Sequence, residues 1–368
     1  MSNKVSRVVW VVFGNVAIVI ALLVFVEGLS SYALLIRESA RNPLQEMRHH
    51  TRYDANLGWV SLPNLDIEDM YGSGSRLRTN TRGFRNAEDF EPARSPGRRR
   101  IICSGDSVTF GQGVSDDQTF CNLFGTLDPT IEPINMGQVG YGVDQAYLWY
   151  RQEADDLDVD LHILAFITHD ILRMKYKEYM NRGRPVLVVR DGKLELTNVP
   201  VPEKSQVLSG LSVLTSRIKM LRTAEVAAKI RKRLPLERRQ VPGTWTARSD
   251  DEVKIVLSAL LQELVRFNEE RTRSTALVYL PSMKELRDPG DEDLATWLPF
   301  AKAQAKALDV PFLDLFEELR DLPAHEASEL FLDGYHLSNA GNALVAARLL
   351  EELRADSRSG PSLSRGDT

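Results

Sequence analysis

The sequence predicts an α/β protein built on a parallel β-sheet with helices on both faces. Five apolar, strand-like runs alternate with helical patterns along the chain, which is the order that parallel sheets require. The runs are residues 100–103, 131–136, 161–167, 275–280 and 310–315. No fixed-period repeat interrupts this alternation, so a single α/β domain is expected.

Local signals place a helix and a hairpin within this alternation. The motif Ser115-Asp116-Asp117-Gln118 has the form of a capping box and predicts the start of a helix that runs to about residue 127. Residues 185–199 alternate in polarity around Asp191-Gly192, a dipeptide typical of tight hairpin turns. The hairpin lies between the third and fourth strands, where the chain is longer than a crossover needs. It is therefore expected to belong to an insertion over about residues 176–248.

Three polar residues have the chemistry of a hydrolytic triad. Ser107 follows the first predicted strand, and Asp333 stands three residues before His336 near the C-terminus. A serine hydroxyl needs a base to take its proton, and a histidine can do so while a carboxylate orients its ring. Each motif alone also fits an ordinary helix-capping turn. Together they predict a nucleophile, an orienting acid and a base.

The order of short motifs resembles that of the SGNH hydrolases, also called the GDSL esterase and lipase family. Gly105-Asp106-Ser107 matches their first block and Asp333-Gly334-Tyr335-His336 their fourth. Residues 134–142 match the second block, and the resemblance assigns the Gly140 backbone N–H to an oxyanion hole, with Gly137 as the alternative. The likeness covers roughly residues 54–353. It implies a three-layer α/β/α, flavodoxin-like fold and a serine esterase that needs no cofactor.

The third block departs from the family pattern. The family has Gly-x-Asn-Asp after an apolar strand, whereas this chain has Ile167-Thr168-His169-Asp170. In the family, the asparagine amide is an oxyanion donor, and losing one such donor costs about 3 to 4 kcal/mol of transition-state stabilisation. The His169 ring N–H can replace it if it reaches the same point. Otherwise His169 is a packed strand-end residue, and the N–H groups of Ser107 and Gly140 form the hole alone.

The N-terminus contains a candidate membrane anchor. Residues 8–26 carry no charge, and as a helix they would span about 28 Å, close to the thickness of a bilayer core. This run is longer than the apolar core of a signal peptide, so an uncleaved anchor over residues 8–28 is expected rather than a leader or a buried helix. Basic residues flank the run on both sides, so charge alone leaves its orientation open. The resemblance to membrane-anchored bacterial members implies residues 1–7 in the cytoplasm and a periplasmic enzyme domain at the inner membrane.

The remaining segments divide the chain further. Residues 29–98 are expected to form a linker and N-terminal extension, residues 99–355 the enzyme domain, and residues 356–368 a disordered tail. Inside the insertion, residues 208–239 are basic and amphipathic, which fits either a helix on an anionic surface or an ordinary solvated helix. Cys103 and Cys121 lie in neighbouring elements and can form either a disulfide or two buried thiols.

Composition narrows the classes of function. The net charge is −5 and the basic residues are dispersed, which argues against a nucleic-acid partner. The chain lacks a dinucleotide or P-loop motif and metal-ligand spacing, so neither a nucleotide nor a metal is expected. The leading prediction is a membrane-anchored serine esterase acting on O-acyl esters of envelope glycans or small lipid-like molecules. An O-acyltransferase acting on extracytoplasmic polysaccharide and a non-catalytic glycan-binding scaffold are the alternatives.

Overall fold

The structure of this chain is a computed structural model that describes residues 50–180, 182–203 and 247–358, together with the isolated positions Trp10, Phe13, Asn15, Ile18 and Gly28. Within these ranges, no helix has both the length and the apolar character that a membrane crossing requires. Apart from those isolated positions, the expected anchor over residues 8–28 lies outside the described residues. The basic stretch over residues 208–239 lies outside them as well.

The described ranges contain short strands around one central sheet, with helices between the strands of that sheet. In chain order the strands are β1 (Thr51–Asp54), β2 (Gly58–Ser61), β3 (Asp66–Glu68), β4 (Arg76–Arg78), β5 (Arg99–Gly105), β6 (Ile131–Gly137), β7 (Leu161–Phe166), β8 (Glu178–Tyr179), β9 (Arg182–Gly183), β10 (Val186–Arg190), β11 (Lys193–Thr197), β12 (Ser274–Tyr279) and β13 (Phe312–Asp314). The α-helices are α1 (Ser107–Phe110), α2 (Phe120–Leu127), α3 (Val143–Glu153), α4 (Thr168–Arg173), α5 (Asp250–Glu269), α6 (Met283–Arg287), α7 (Glu292–Ala307), α8 (Leu315–Leu319), α9 (Ala324–Glu329) and α10 (Asn339–Arg358).

The central sheet has five parallel strands in the order β13-β12-β7-β5-β6. Of the five strands in this sheet, β5 comes first in the chain, and it lies between β6 and β7, which come second and third. This is the flavodoxin-like order. It confirms the predicted parallel sheet, and each of the five predicted runs overlaps one of its strands. In such sheets, ligands bind at the carboxyl ends of the strands where the order reverses, here β5 and β7.

Helices cover both faces of the sheet, as the sequence predicted. On one face, α2 and α10 pack on a cluster that includes Ile101 of β5 and Ile163 of β7. On the other face, the Tyr150 ring of α3 stacks on the buried His162 ring of β7, with 3.5 Å between the ring centroids. The Tyr150 hydroxyl donates to Asn268 of α5. Strands that are buried from both sides read as continuous apolar runs, which is why the sequence reveals them.

The two cysteines lie in the core between β5 and α2. Both are free and fully buried. Burial, and next the neighbouring Cys121 thiol, raises the pKa of Cys103 well above its usual value, so this thiol stays protonated. Of the two alternatives, the structure has the buried thiols and not the disulfide.

The helix that was predicted to start at the Ser115 capping box begins at Phe120 instead. Ser115 caps a short 3₁₀ helix, Asp116–Gln118, and α2 begins only after it, with Thr119 as its N-cap. The Asp116 carboxylate lies 2.6 Å from the Arg78 guanidinium of β4. This contact holds the 3₁₀ turn against the β3–β4 hairpin, and the extended backbone of Thr119 separates the turn from α2.

The β10–β11 hairpin forms where it was predicted, and the last helix runs further than predicted. Strands β10 and β11 pair in antiparallel register around Asp191 and Gly192, which have φ values of 50° and 73°. Two left-handed residues are what a two-residue type I′ turn requires. At the C-terminus, α10 runs to Arg358 and so extends into the tail predicted from residue 356, because no helix breaker occurs before Gly360. Residues 359–368 lie outside the described part of the chain.

Candidate active site

Ser107 lies at the carboxyl end of β5, where the strand turns sharply into α1. Asp106 is the N-cap of this helix, and its Oδ1 accepts a hydrogen bond of 2.8 Å from the Val108 N–H. The turn needs glycine at position 105, because a Cβ there would lie 2.4 Å from the Ala165 carbonyl oxygen of β7. Ser107 is therefore held at the point where the strand order reverses.

The structure brings Ser107, His336 and Asp333 together. His336 Nε2 lies 3.0 Å from Ser107 Oγ, and His336 Nδ1 lies 2.7 Å from Asp333 Oδ2. Asp333 Oδ1 accepts from the backbone N–H groups of Tyr335 and His336. Burial alone would raise the pKa of Asp333, but its hydrogen bonds with His336 outweigh burial and lower that pKa. The carboxylate is thus ionised at neutral pH and accepts from the imidazole ring.

The loop that carries Asp333 and His336 is fixed by two sets of contacts. A β-bridge between Phe331 and Leu337 closes the loop. The Met283 N–H of α6 donates to the Gly334 carbonyl at 3.0 Å, which ties the loop to the helix that follows β12. These contacts bring a segment near the C-terminus to the carboxyl end of the sheet, more than two hundred positions from Ser107.

Gly140 and Gly137 differ in whether their N–H groups are occupied. The Gly137 N–H donates to Asn135 Oδ1 at 3.0 Å, so it is not available to a ligand. Among the residues that the structure describes, neither the Gly140 N–H nor the Ser107 N–H donates to another group. Gly140 has a φ of 79°, and a Cβ there would lie 3.2 Å from the Tyr179 ring. The arrangement favours Gly140 over the alternative glycine.

The β1–β2 hairpin supports the turn that contains Gly140. The Trp59 indole N–H donates to the Val139 carbonyl at 2.8 Å, and the Tyr141 hydroxyl donates to the Trp59 carbonyl at 2.5 Å. The Ser61 hydroxyl and N–H both donate to Gln138 Oε1. Residues on either side of Gly140 are thus anchored to the N-terminal extension.

His169 occupies the second position of α4, directly after β7. Its side chain is exposed, and its ring centroid lies 4.9 Å from that of Tyr335, next to the triad histidine in the chain. Burial of part of the ring, and next the Arg173 charge, lowers the pKa of His169 and favours the neutral imidazole. A neutral ring still has one N–H donor. Its role in an oxyanion hole stays a prediction.

Arg173 is the residue of this region that the sequence reasoning missed. It is the last residue of α4, and its Nη1 donates to Tyr141 O at 2.6 Å, to Asp106 Oδ2 at 3.1 Å and to Asp170. The side chains of all three charged residues are nearly buried. The spacing of Asp170 and Arg173 could have suggested an ion pair within one helix. Its link to the Ser107 and Gly140 turns comes only from the fold.

Beside the triad lies a small cavity of about 50 Å³ with a mixed polar lining. Its lining includes His169 and Tyr335 together with Lys284 and Asp293. Within the described ranges, no group of three histidine, cysteine or acidic side chains could hold a metal ion. The arrangement offers a nucleophile, a base and backbone donors, which together suit acyl transfer.

Comparisons with known proteins add a weak likeness. No family model and no curated protein matches the chain. Among solved structures, the acetyl xylan esterase AlAXEase is 15% identical and has a TM-score of 0.43 over 69% of this chain and 99% of that chain. A lipase/acylhydrolase from Enterococcus faecalis is 14% identical, with a TM-score of 0.41 over 70% of this chain and 96% of that one. Axe2, an acetylxylan esterase from Geobacillus stearothermophilus, is 14% identical, with a TM-score of 0.41 over 73% and 97% of the two chains. Likeness at this level assigns no activity to the chain.

Proposed function

We propose that this chain is a serine esterase of the SGNH type that hydrolyses O-acyl esters through an acyl-serine intermediate. The observation that carries the proposal is the hydrogen-bonded series from Ser107 through His336 to Asp333 at the carboxyl end of the sheet. Its order along the chain is serine, aspartate, histidine. Nucleophile, base and orienting acid are each within hydrogen-bonding distance of the next, which is the geometry that nucleophilic catalysis requires.

In the proposed reaction, Ser107 Oγ attacks the ester carbonyl carbon while His336 Nε2 takes the hydroxyl proton. Asp333 accepts from Nδ1 and stabilises the imidazolium that forms. The N–H groups of Ser107 and Gly140 face the carbonyl oxygen as it gains charge, with His169 as a third donor. His336 then returns the proton to the leaving alcohol, and the acyl group stays on Ser107. Water, deprotonated by the same imidazole, hydrolyses the acyl-serine and releases a carboxylic acid.

Hydrolysis and acyl transfer to a second alcohol differ in whether water or the alcohol reaches the acyl-serine. The side chains of Asp333 and His336 are 55% and 19% exposed, whereas Ser107 is 5% exposed, so exposure does not choose between the two reactions. A hydrolase releases the free carboxylic acid whether or not an acceptor glycan is present, and this is the outcome that we expect. The retained hydrogen bonds of the triad argue against a scaffold that has lost its chemistry.

The proposed place of action rests on the apolar N-terminal run for the anchor and on the resemblance to membrane-anchored SGNH members for its orientation. Residues 8–28 would anchor the chain in the inner membrane, with the enzyme domain in the periplasm. The proposed substrates are therefore acyl esters of envelope glycans or small acyl esters on that side. The neutral acyl group and the alcohol would enter from the exposed face of the triad.

The test is turnover of short-chain p-nitrophenyl esters by the full-length chain in a mild detergent. Wild-type protein should release p-nitrophenol and react covalently with a fluorophosphonate probe at Ser107. Ser107→Ala should abolish both. Ser338→Ala is the matched control, because Ser338 lies two residues beyond His336 but its hydroxyl donates to Glu329 O and not to the triad. Wild-type protein that neither turns over esters nor reacts with the probe would contradict the proposal.

A further inference from the structure

A single buried guanidinium connects the three turns that surround Ser107. Arg173 Nη1 donates to Asp106 beside the nucleophile and to the Tyr141 carbonyl beside Gly140. It also donates to Asp170, which is adjacent to His169. These turns follow β5, β6 and β7, so no contact within one strand pair sets their relative positions. Arg173 lies where all three can be held at once.

The charges of this cluster fit such a role. Asp106 and Asp170 are nearly buried, and a buried carboxylate needs a close positive partner. Burial, and next the Asp106 charge, raises the pKa of Asp170 well above its usual value, because the two acidic groups share one guanidinium. Burial would lower the pKa of Arg173, but Asp170 and Asp106 outweigh it and raise that pKa above its usual value. The guanidinium therefore keeps its charge. It is further covered by the Tyr179 ring, whose centroid lies 4.8 Å from the guanidinium carbon.

The nucleophile has two possible acceptors for its one proton. Ser107 Oγ lies 3.0 Å from His336 Nε2 and 3.2 Å from Asp106 Oδ2. A hydroxyl donates one hydrogen bond at a time, and only donation to the imidazole leads to nucleophilic attack. Arg173 donates to the same Asp106 oxygen. That bond makes the carboxylate a weaker competitor for the serine proton.

We propose that Arg173 is a positioning residue for the reaction at Ser107. Its guanidinium holds the Ser107 and Gly140 turns at the spacing that the oxyanion requires. It also donates to Asp106 Oδ2, and because that oxygen is then a weaker acceptor, the serine hydroxyl donates to His336. The inference rests on the proposed function, and it adds a residue outside the triad and the oxyanion donors.

The test compares Arg173→Gln with wild-type full-length chain in steady-state ester hydrolysis. Oxyanion donors act in the transition state, so kcat should fall by about 10²-fold while KM changes by less than about 3-fold. Arg173→Lys keeps a positive charge near Asp106, but its ammonium nitrogen lies closer to its own backbone than Nη1 does and so reaches fewer of the three acceptors. It should recover part of kcat. If Arg173→Gln keeps kcat within about 3-fold of wild type, or if the loss lies in KM alone, the proposal is wrong.

The matched control is Arg100→Gln. Arg100 is also buried, and it contacts Glu132 at 2.5 Å and two backbone carbonyls, but at the start of β5, the end opposite Ser107. Arg100→Gln should lower the free energy of unfolding about as much as Arg173→Gln does, because both break a buried ion pair. It should keep kcat within about 2-fold of wild type. An equal loss of kcat in both variants would reduce Arg173 to a structural ion pair and overturn the proposal.

The experiment also distinguishes a variant that does not fold from a failure of the proposed function. If Arg173→Gln fails to fold, the double variant Asp170→Asn with Arg173→Gln removes one of the two buried carboxylates. This double variant keeps Asp106, which still accepts from the Val108 N–H and can compete for the serine proton. It should fold and still show the loss of kcat, whereas wild-type kcat in the double variant would overturn the proposal. If wild-type chain has no esterase activity, the proposed function and the inference fall together. Wild-type turnover with an unaffected Arg173→Gln overturns the inference alone.

Discussion

Trp59 is hydrogen-bonded to both residues that flank Gly140, Val139 and Tyr141. The Tyr141 hydroxyl donates to the Trp59 carbonyl, the Trp59 indole donates to Val139, and the two rings meet edge to face with centroids 5.6 Å apart. Trp59 belongs to a hairpin outside the five-stranded sheet. The N-terminal extension thus supports the candidate oxyanion hole and is more than a linker.

Replacement of Trp59 by phenylalanine tests this support. Trp59→Phe removes the hydrogen bond to Val139 and should cost about 1 kcal/mol of unfolding free energy, with a several-fold lower kcat. Trp297→Phe is the control, because the Trp297 indole N–H is buried and has no acceptor among the described residues. Chemical denaturation and ester hydrolysis measure both effects. Equal kcat values for the two variants would contradict the role of Trp59.

A methyl group at Gly140 should disturb the site more than the same change elsewhere. Gly140→Ala places a side chain at a φ of 79° and within 3.2 Å of the Tyr179 ring, so kcat should fall at least tenfold. Gly192→Ala meets a similar φ of 73° in the β10–β11 turn but open space around its Cβ. It should lose stability and keep kcat. Comparable kcat in the two variants would show that the Gly140 turn does not serve catalysis.

Substitution of His169 tests whether its ring N–H donates a hydrogen bond to the oxyanion. His169→Ala removes the ring N–H next to Tyr335 and should lower kcat by about 10²-fold, the usual effect of losing one oxyanion donor. His169→Asn restores an amide donor and should hold or raise kcat. Ester hydrolysis at saturating substrate gives the answer. If the alanine variant matches wild type, the backbone N–H groups form the hole alone.

His162 should make the fold sensitive to acid. Burial, and next the charge of Arg273, lowers the pKa of this histidine well below its usual value in the folded state. Its contribution to stability is therefore complete above the unfolded-state pKa of about 6.5 and is lost as pH falls below it, by up to about 1.4 kcal/mol per pH unit. Urea unfolding at pH 7 and pH 5 should show this loss in wild type. His162→Gln should flatten the dependence, whereas the exposed His325→Gln should leave it unchanged.

The sheet was predictable because its strands carry the signal within themselves. Residues such as Ile101 and Ile163 are buried on one face while their neighbours are buried on the other, so each strand reads as an apolar run. The Asp191-Gly192 turn was predictable for a similar reason, because its backbone conformation depends on those two residues. The start of α2 was not, since the contact between Asp116 and Arg78 joins segments far apart in the chain.

By itself, the sequence determined which residue types could carry the chemistry and in what order they occur. Ser107, Asp333 and His336 could be predicted as nucleophile, acid and base because those roles need distinct side-chain chemistry. Only the tertiary structure decided that Gly140 and not Gly137 keeps an unoccupied N–H, that the two cysteines are neighbouring free thiols, and that Arg173 joins three turns. Those outcomes depend on hydrogen bonds and distances between remote segments, which exist only once parallel strands bring their carboxyl ends to one edge of the sheet.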